Sequence, residues 1–235
     1  MISGAENTAY ERLLNALAEQ LKIPLLQIAR TAELGTDNPK VDDLRTITST
    51  ADMALQLIDG YLLYGSLHNQ TTLELEPVSI SALLQNTAHY LTPFAKRLGC
   101  TVTIHLSGKY GPVMAHRGAL DAAFKALGYS LIEASATKST STILLAAHRS
   151  SRGLVAGIYG TGQTFTGDSL RRGKALFGTA AQPASELSST SGAGIFVANA
   201  LLESMSSPLH TSHHHKLSGL AATLLPSRQL QLVTS

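Results

Sequence analysis

Hydrophobic residues recur at helical spacing through the first quarter of the chain. The apolar positions of the first pattern, which spans residues 10–34, are Leu14, Leu17, Leu21, Leu25 and Ile28. Those of the second are Leu44, Ile47, Ala51, Leu55, Ile58 and Leu62. Intervals of three and four residues predict two amphipathic helices, and the turn-forming run 35–39 makes them an antiparallel hairpin. Because a lone hairpin cannot bury both stripes, we expect a homodimer that forms a four-helix bundle.

The rest of the chain mixes helical and strand-like patterns. Alternating or β-type apolar runs predict strands at 73–80, 100–106, 141–148, 153–159 and 220–226, with a hairpin loop at 149–153. Helical patterns cover 79–98, 120–135 and 194–205, and the Gly-, Ser- and Thr-rich stretch 160–192 predicts a long loop. Helices on one face of a mixed sheet are the economical arrangement, so the fold class is α+β.

Composition excludes several classes of protein. Of 235 residues, 44% are hydrophobic and 14% are charged, which suits a globular core and not a disordered chain. The 18 basic against 16 acidic residues do not indicate nucleic-acid binding, and a single cysteine excludes a disulfide framework. No apolar run approaches the roughly 20 residues that span a bilayer. We therefore expect a cytoplasmic protein without a membrane span.

The order of these elements, together with local motifs, resembles the catalytic core of bacterial sensor histidine kinases. The segment Glu19-Gln20-Leu21-Lys22-Ile23-Pro24-Leu25 matches the family's H-E-L-R-T-P-L box, and Leu225-Pro226 matches its terminal L-P. The resemblance implies a helical hairpin dimerisation domain at 1–68 and a Bergerat-type ATP-binding domain, an α/β sandwich, at 69–235. It also implies ATP and Mg²⁺ as possible cofactors and a response-regulator receiver domain or a kinase as partner.

The H-E-L-R-T-P-L box carries the family's phosphoacceptor histidine, and the residues at its reacting positions are different in this chain. Glu19 stands where the family has the phosphoacceptor histidine, and Gln20 stands where it has the acidic general base. Ile23 replaces the polar residue used in dephosphorylation. An amide cannot take up and release a proton near neutral pH, so the box lacks the groups that phosphotransfer needs. We predict no catalytic residues in it.

The motifs that bind the nucleotide in the family are also incomplete in this chain. Ser130 matches the family's Mg²⁺-binding Asn, and Ile158 matches the Asp that reads the adenine amino group. Serine is a poorer oxygen ligand than an amide carbonyl, and isoleucine leaves that amino group unpaired. Gly160 and Gly162 keep the glycines of the D-x-G-x-G box.

The second glycine motif is shortened in the same way. Gly192 and Gly194 match the glycine box, whose first glycine is replaced by a threonine. We expect them to precede a helix N-terminus, where free N–H groups can hold phosphate. With Ser130, Gly160 and Gly162, they make up the candidate nucleotide-binding set.

Two hypotheses from different functional classes follow. In the first, the chain is a histidine-kinase-like pseudoenzyme that needs no cofactor, a dimeric scaffold on which Glu19, Lys22, Leu26 and Arg30 line a docking surface. In the second, it is a diverged ATP-binding kinase or ATPase that uses the candidate nucleotide set. The losses at Glu19 and Ile158 favour the first.

A histidine-rich run lies near the C-terminus. His210, His213, His214 and His215 have the composition of a metal site. The run has no evident carboxylate partner and lies between two predicted strands. We interpret it as a loop and predict no metal site.

Overall fold

The helices and strands follow the order that the sequence predicts, with two strands added. The computed structural model describes residues 18, 21–22, 24–36, 40–68, 73–135, 141–161, 170–171 and 189–227. Its helices are α1 (24–35), α2 (Val41–His68), α3 (Ile80–Arg97), α4 (Arg117–Ser135) and α5 (Ser189–Ser204). Its strands are β1 (Glu76–Val78), β2 (Cys100–Leu106), β3 (Val113–Ala115), β4 (Ser141–Ser150), β5 (Gly153–Gly160), β6 (His210–His214) and β7 (Leu217–Leu224).

The helix ends are fixed by local chemistry. Helix α2 carries Asp42 and Asp43 in its first turn, where acidic side chains interact favourably with the helix dipole. Ser79 caps α3, because its side chain accepts a hydrogen bond from the Ala82 N–H. His116 caps α4 in the same way, because its Nδ1 accepts a hydrogen bond from the Ala119 N–H at 3.1 Å.

The strands form one five-stranded mixed sheet and one small two-stranded sheet. The order in the large sheet is β2-β4-β5-β7-β6, with β2 parallel to β4 and the other neighbours antiparallel. Strands β1 and β3 pair separately. The inner face of the large sheet shares one buried apolar cluster with the helices. A second, smaller cluster lies on the outer face around Tyr159.

Several predicted elements and bounds are wrong, and the bounds of β1, α4 and β7 also differ from those predicted. Strand β6 covers the histidine-rich run that was predicted to be a loop, and β3 was not predicted at all. Helix α5 begins at Ser189 and not at Gly194. The β4–β5 hairpin turn is limited to Ser151 and Arg152, because the strands extend to Ser150 and from Gly153. Among the described helices, none is long and apolar enough to cross a membrane.

Helix α2 packs against α4 and α5. Met53, Leu57 and Tyr61, at intervals of four residues, are all buried and belong to the main core. The Tyr61 ring stacks on Phe196 of α5, with centroids 6.0 Å apart and planes 25° apart. A Cβ at Gly60 would overlap the Val197 side chain, so the two helices approach closely at this glycine. The second predicted helix of the hairpin therefore lies on the surface made by α4 and α5.

Candidate functional site

Strand β5 carries Ile158, Tyr159 and Gly160 into the middle of the large sheet. Ile158 is fully buried and lies in register between Leu145 and Leu220, on the inner face. Tyr159 belongs to the cluster on the outer face. The side chain at position 158 therefore faces the helices and is apolar, so it cannot accept a hydrogen bond from a ligand.

The chain beyond Gly160 is held to the neighbouring strand. The Thr161 N–H donates to the Thr142 carbonyl at 3.1 Å, and Thr161 Oγ1 accepts from the Thr142 N–H at 3.0 Å. Gly160 pairs with Ile143 on one side and Ser218 on the other. Gly160 is thus part of the sheet ladder, while Gly162 lies outside the described residues.

Ser130 and Gly194 lie at the closest approach of α4 and α5. Ser130 is buried, and a Cβ added at Gly194 would overlap both Ser130 Oγ and the Ala126 carbonyl oxygen. Glycine at 194 is therefore what allows the two helices to cross at this distance. The Ser130 hydroxyl is a packing partner of α5.

The expected phosphate site at the start of α5 is not formed as predicted. Because α5 begins at Ser189, Gly192 and Gly194 lie within the helix and do not precede it. Gly194 is beyond the first turn, whose N–H groups alone lack helical partners. The prediction that both glycines stand before a helix N-terminus is wrong, and the reason is that their run of small residues continues the helix.

A small cavity remains where α2 crosses α4 and α5. Its walls are Met53, Gln56, Leu57, Ala126, Tyr129, Ser130, Glu133 and Gly194. Its volume of about 10 Å³ is close to the space that one water molecule needs. The described residues of its lining include one carboxylate and no Lys or Arg, so these residues do not neutralise a phosphate. Burial raises the pKa of the Tyr129 phenol, which keeps that side chain neutral.

Residues of the predicted docking surface are exposed where the structure describes them. Lys22, Leu26 and Arg30 lie four residues apart and are exposed, with 63% of Leu26 accessible. Pro24, between the first two, is buried. Positions 19, 20 and 23, which carry Glu19, Gln20 and Ile23, lie outside the described residues.

The chain is similar in fold to several solved structures, histidine kinases among them. The chain aligns with Acinetobacter baumannii histidine kinase AdeS at TM-score 0.54 and 11% identity, covering 88% of this chain and 97% of that one. It aligns with full-length ShkA in complex with AMPPNP at TM-score 0.56 and 17% identity, covering 92% of this chain and 46% of that one. It aligns with histidine kinase ThkA, solved in complex with response regulator protein TrrA, at TM-score 0.59 and 13% identity. The alignment covers 94% of this chain and 61% of that one.

The fold is that of a histidine kinase catalytic core. The predicted α+β class and the resemblance in the order of elements are therefore confirmed. No protein-family model and no curated protein matches the sequence. At identities of 11–17%, the comparison defines the fold, and any activity has to be argued from this chain's own residues.

The outer face of this histidine kinase fold carries a side-chain cluster that the sequence did not predict. His105 of β2 and His214 of β6 are in direct contact, with Nδ1 and Nε2 2.7 Å apart. Burial, together with His215, His105 and His148, lowers the pKa of His214, so its imidazole is neutral at pH 7. The run of histidines near residue 214 was the only signal in the sequence, and it did not indicate His105.

Replacing Gly194 with alanine tests the close crossing of α4 and α5. Inside an unobstructed helix, Gly→Ala stabilises by about 0.5–1 kcal/mol. At Gly194 the added Cβ overlaps Ser130 Oγ and the Ala126 carbonyl, so we expect a loss of about 1–3 kcal/mol, the usual cost of overpacking. The measurement is the free energy of unfolding from urea denaturation.

Gly118→Ala is the matched control. Gly118 lies in α4, and its nearest neighbour would be His116 Cε1 at 3.4 Å, an ordinary contact. We expect this variant to be neutral or more stable than the wild type. Equal stabilisation by both substitutions would contradict the close crossing at Gly194.

Proposed function

We propose that the chain is a histidine-kinase-like pseudoenzyme, a dimeric two-component signalling scaffold that docks a response-regulator receiver domain. The observation that carries this proposal is the packing of α2, α4 and α5 around Ser130 and Gly194. Two of the five candidate nucleotide residues are used to hold helices together, in a cavity of about one water's volume.

Loss of adenine recognition supports the absence of ATP chemistry. Ile158 lies fully buried among apolar residues at the position where the family reads the adenine amino group. A buried donor left without an acceptor costs about 1–3 kcal/mol, which is one to two orders of magnitude in affinity. The absent phosphoacceptor histidine at Glu19 removes the group that would receive a phosphoryl group.

The homodimer is supported by an apolar stripe that the described structure leaves exposed. Leu44, Leu55 and Leu62 of α2 are each more than half exposed. At about 100° per residue, they lie within about 20° of one another around the helix. Met53 and Leu57 point to the opposite side, toward α4 and α5. Leu25, on the predicted apolar stripe of α1, is more than half exposed as well.

Docking of a receiver domain is supported by the exposed face of α1. Lys22, Leu26 and Arg30 present two cations beside an apolar side chain, which suits a partner with an acidic and partly apolar surface. The complex of histidine kinase ThkA with its response regulator TrrA has the same fold on the kinase side. We therefore propose a receiver domain as the partner of this surface.

Nucleotide binding is the first test. Titration calorimetry with ATP and with ADP, each with Mg²⁺, should give no saturable heat up to about 1 mM nucleotide. Incubation with labelled ATP should leave no label on the chain. Because 1 mM corresponds to about 4 kcal/mol of binding free energy, a heat curve with a tighter dissociation constant would reject the pseudoenzyme. It would favour the alternative, a diverged ATP-binding kinase or ATPase.

The exposed stripe on α2 is tested by the mass in solution. We expect a dimer by light scattering, and Leu55→Glu should convert it to a monomer at micromolar protein, because a carboxylate in an apolar helix interface is costly. The control is Leu75→Glu, which makes the same change at an exposed leucine outside the hairpin helices. A monomeric wild type, or a dimeric Leu55→Glu variant, would contradict the bundle.

The docking surface is tested by binding to receiver domains from the same genome, with interferometry at micromolar concentration. Lys22→Glu and Arg30→Glu should each weaken the binding at least tenfold, since they reverse a charge at the interface. Arg152→Glu reverses an exposed charge in the distant β4–β5 turn and should change nothing. Failure of every receiver domain to bind, or equal binding by all variants, would reject this partner.

A further inference from the structure

Histidines from three strands meet on the outer face of the large sheet. His105 lies on β2 and His214 on β6, the two edge strands of the sheet, and their rings are in direct contact. His148 of β4 lies next to them, with its ring centroid 5.6 Å from that of His214. The sheet must coil strongly for its edges to meet in this way across its outer face.

Small residues on the outer face allow this coiling. A Cβ at Gly157 would lie 2.6 Å from the Ala221 Cβ and 2.9 Å from the Tyr159 hydroxyl, so no larger side chain fits there. Gly219, on β7, is crowded in the same way by Tyr159. The Tyr159 hydroxyl reaches Ser212 of β6 at 3.3 Å. The chain thus keeps the middle of this face small and brings the histidines together across it.

Three imidazoles are close enough to share one ion. The possible ligand nitrogens of His105, His214 and His215 all lie within 4.8 Å of one another. Two nitrogens bound to one tetrahedral Zn²⁺ are about 3.3 Å apart, given Zn–N distances of about 2.0–2.1 Å. The His105 and His214 nitrogens, now 2.7 Å apart, would separate by about 0.6 Å to admit it. That is a side-chain adjustment.

Two further features favour a ligand in this cluster. His148 Nδ1 is buried, and no group in the described part of the chain forms a hydrogen bond with it. Such an orphan atom is costly, and because His148 is not one of the three clustered ligands, a water bound beside them is what would satisfy it. His215 occupies the tip of the β6–β7 hairpin with φ of 53°, in the left-handed region where histidine, like Asn and Asp, is enriched among residues other than glycine. The fold accepts this conformation in the same turn that carries its ring to the cluster.

We propose that His105, His214 and His215 bind one divalent transition-metal ion on the outer face of the sheet, with zinc as the best-suited ion. Neutral imidazoles are good ligands for Zn²⁺, Cu²⁺ and Ni²⁺, and three of them with one open position form a familiar zinc arrangement. The bound ion would join β2 to the β6–β7 hairpin, which lie 109 residues apart in the chain at His105 and His214. This proposal is independent of the proposed scaffold function.

The expected effect is stabilisation that depends on zinc concentration. An ion that binds only the folded chain raises the unfolding temperature as its concentration increases beyond the dissociation constant. Because the ion joins the two edge strands of the sheet, which lie 109 residues apart in the chain at His105 and His214, the rise in unfolding temperature should be several degrees at saturation.

The experiment uses the full chain, purified without a polyhistidine tag and treated with chelator. Zinc is titrated by calorimetry, and Co²⁺ is added separately to report the ligand geometry through its visible absorption. We expect one ion per chain. His105→Gln and His214→Gln should each weaken zinc binding at least tenfold. His215→Asn should also weaken it, and asparagine tolerates the positive φ at this position.

His213→Gln is the matched control. His213 lies next to His214 in β6 but is exposed and is not part of the cluster. It should bind zinc as the wild type does. A cooperative unfolding transition of each chelated variant shows that the variant is folded. If a substitution in a strand prevents folding, His215→Asn in the turn still tests the site. Absence of zinc binding in the wild type would overturn the proposal, as would unchanged binding in all three cluster variants or equal loss in His213→Gln.

Discussion

The close crossing of α4 and α5 at Ser130 and Gly194 determines the shape of the candidate nucleotide site. A glycine in a helix interior costs about 0.5–1 kcal/mol relative to alanine, and that cost is offset only where a neighbour occupies the space of the missing side chain. At Gly194 the neighbours are Ser130 Oγ and the Ala126 carbonyl. Helix α2 then closes the remaining gap with Met53 and Leu57. The cavity is small because three helices, and not one substitution, fill it.

The outer face of the sheet follows the same physical rule. Gly157, Gly219 and Ala221 leave room for the Tyr159 ring and for the coiling that brings the two edge strands together. Where a sheet is buried on one face only, exposed polar residues usually fill the other. In this chain β5 is buried on both faces from Leu154 to Gly160. The outer face of the sheet therefore carries a second, smaller packed cluster, and His105 and His214 lie on the edge strands beside it.

The sequence predicts the elements whose signals are local. Strand β2 has the predicted bounds, because alternation over 100–106 is a complete signal in itself, and α3 differs from its prediction by one residue at each end. Strands β3 and β6 were missed because each gains its strand geometry from a partner: β3 has three residues paired with β1, and β6 is a polar edge strand paired with β7. Their tertiary context outweighs their weak propensity.

The candidate sites were less predictable than the fold. The start of α5 was misplaced because Ser189, Thr190 and Gly192 have low helix propensity, whereas the helix begins at Ser189. The contact between His105 and His214 depends on the register of five strands and on the coiling of the sheet, neither of which is visible in spacing along the chain. Lys22, Leu26 and Arg30 were proposed from the resemblance to the family, and all three are exposed.

Under the proposed function, Ile158 and the α4–α5 crossing both disfavour nucleotide binding. An aspartate at 158 would place a carboxylate in a fully buried apolar cluster, where its desolvation has to be repaid by a hydrogen-bonding ligand. Among the described residues, α2 packs over Ser130 and Gly194 and leaves a cavity of only about 10 Å³ there. Restoring the aspartate alone would therefore destabilise the chain without creating a site, and opening the crossing alone would expose apolar surface that no ligand covers.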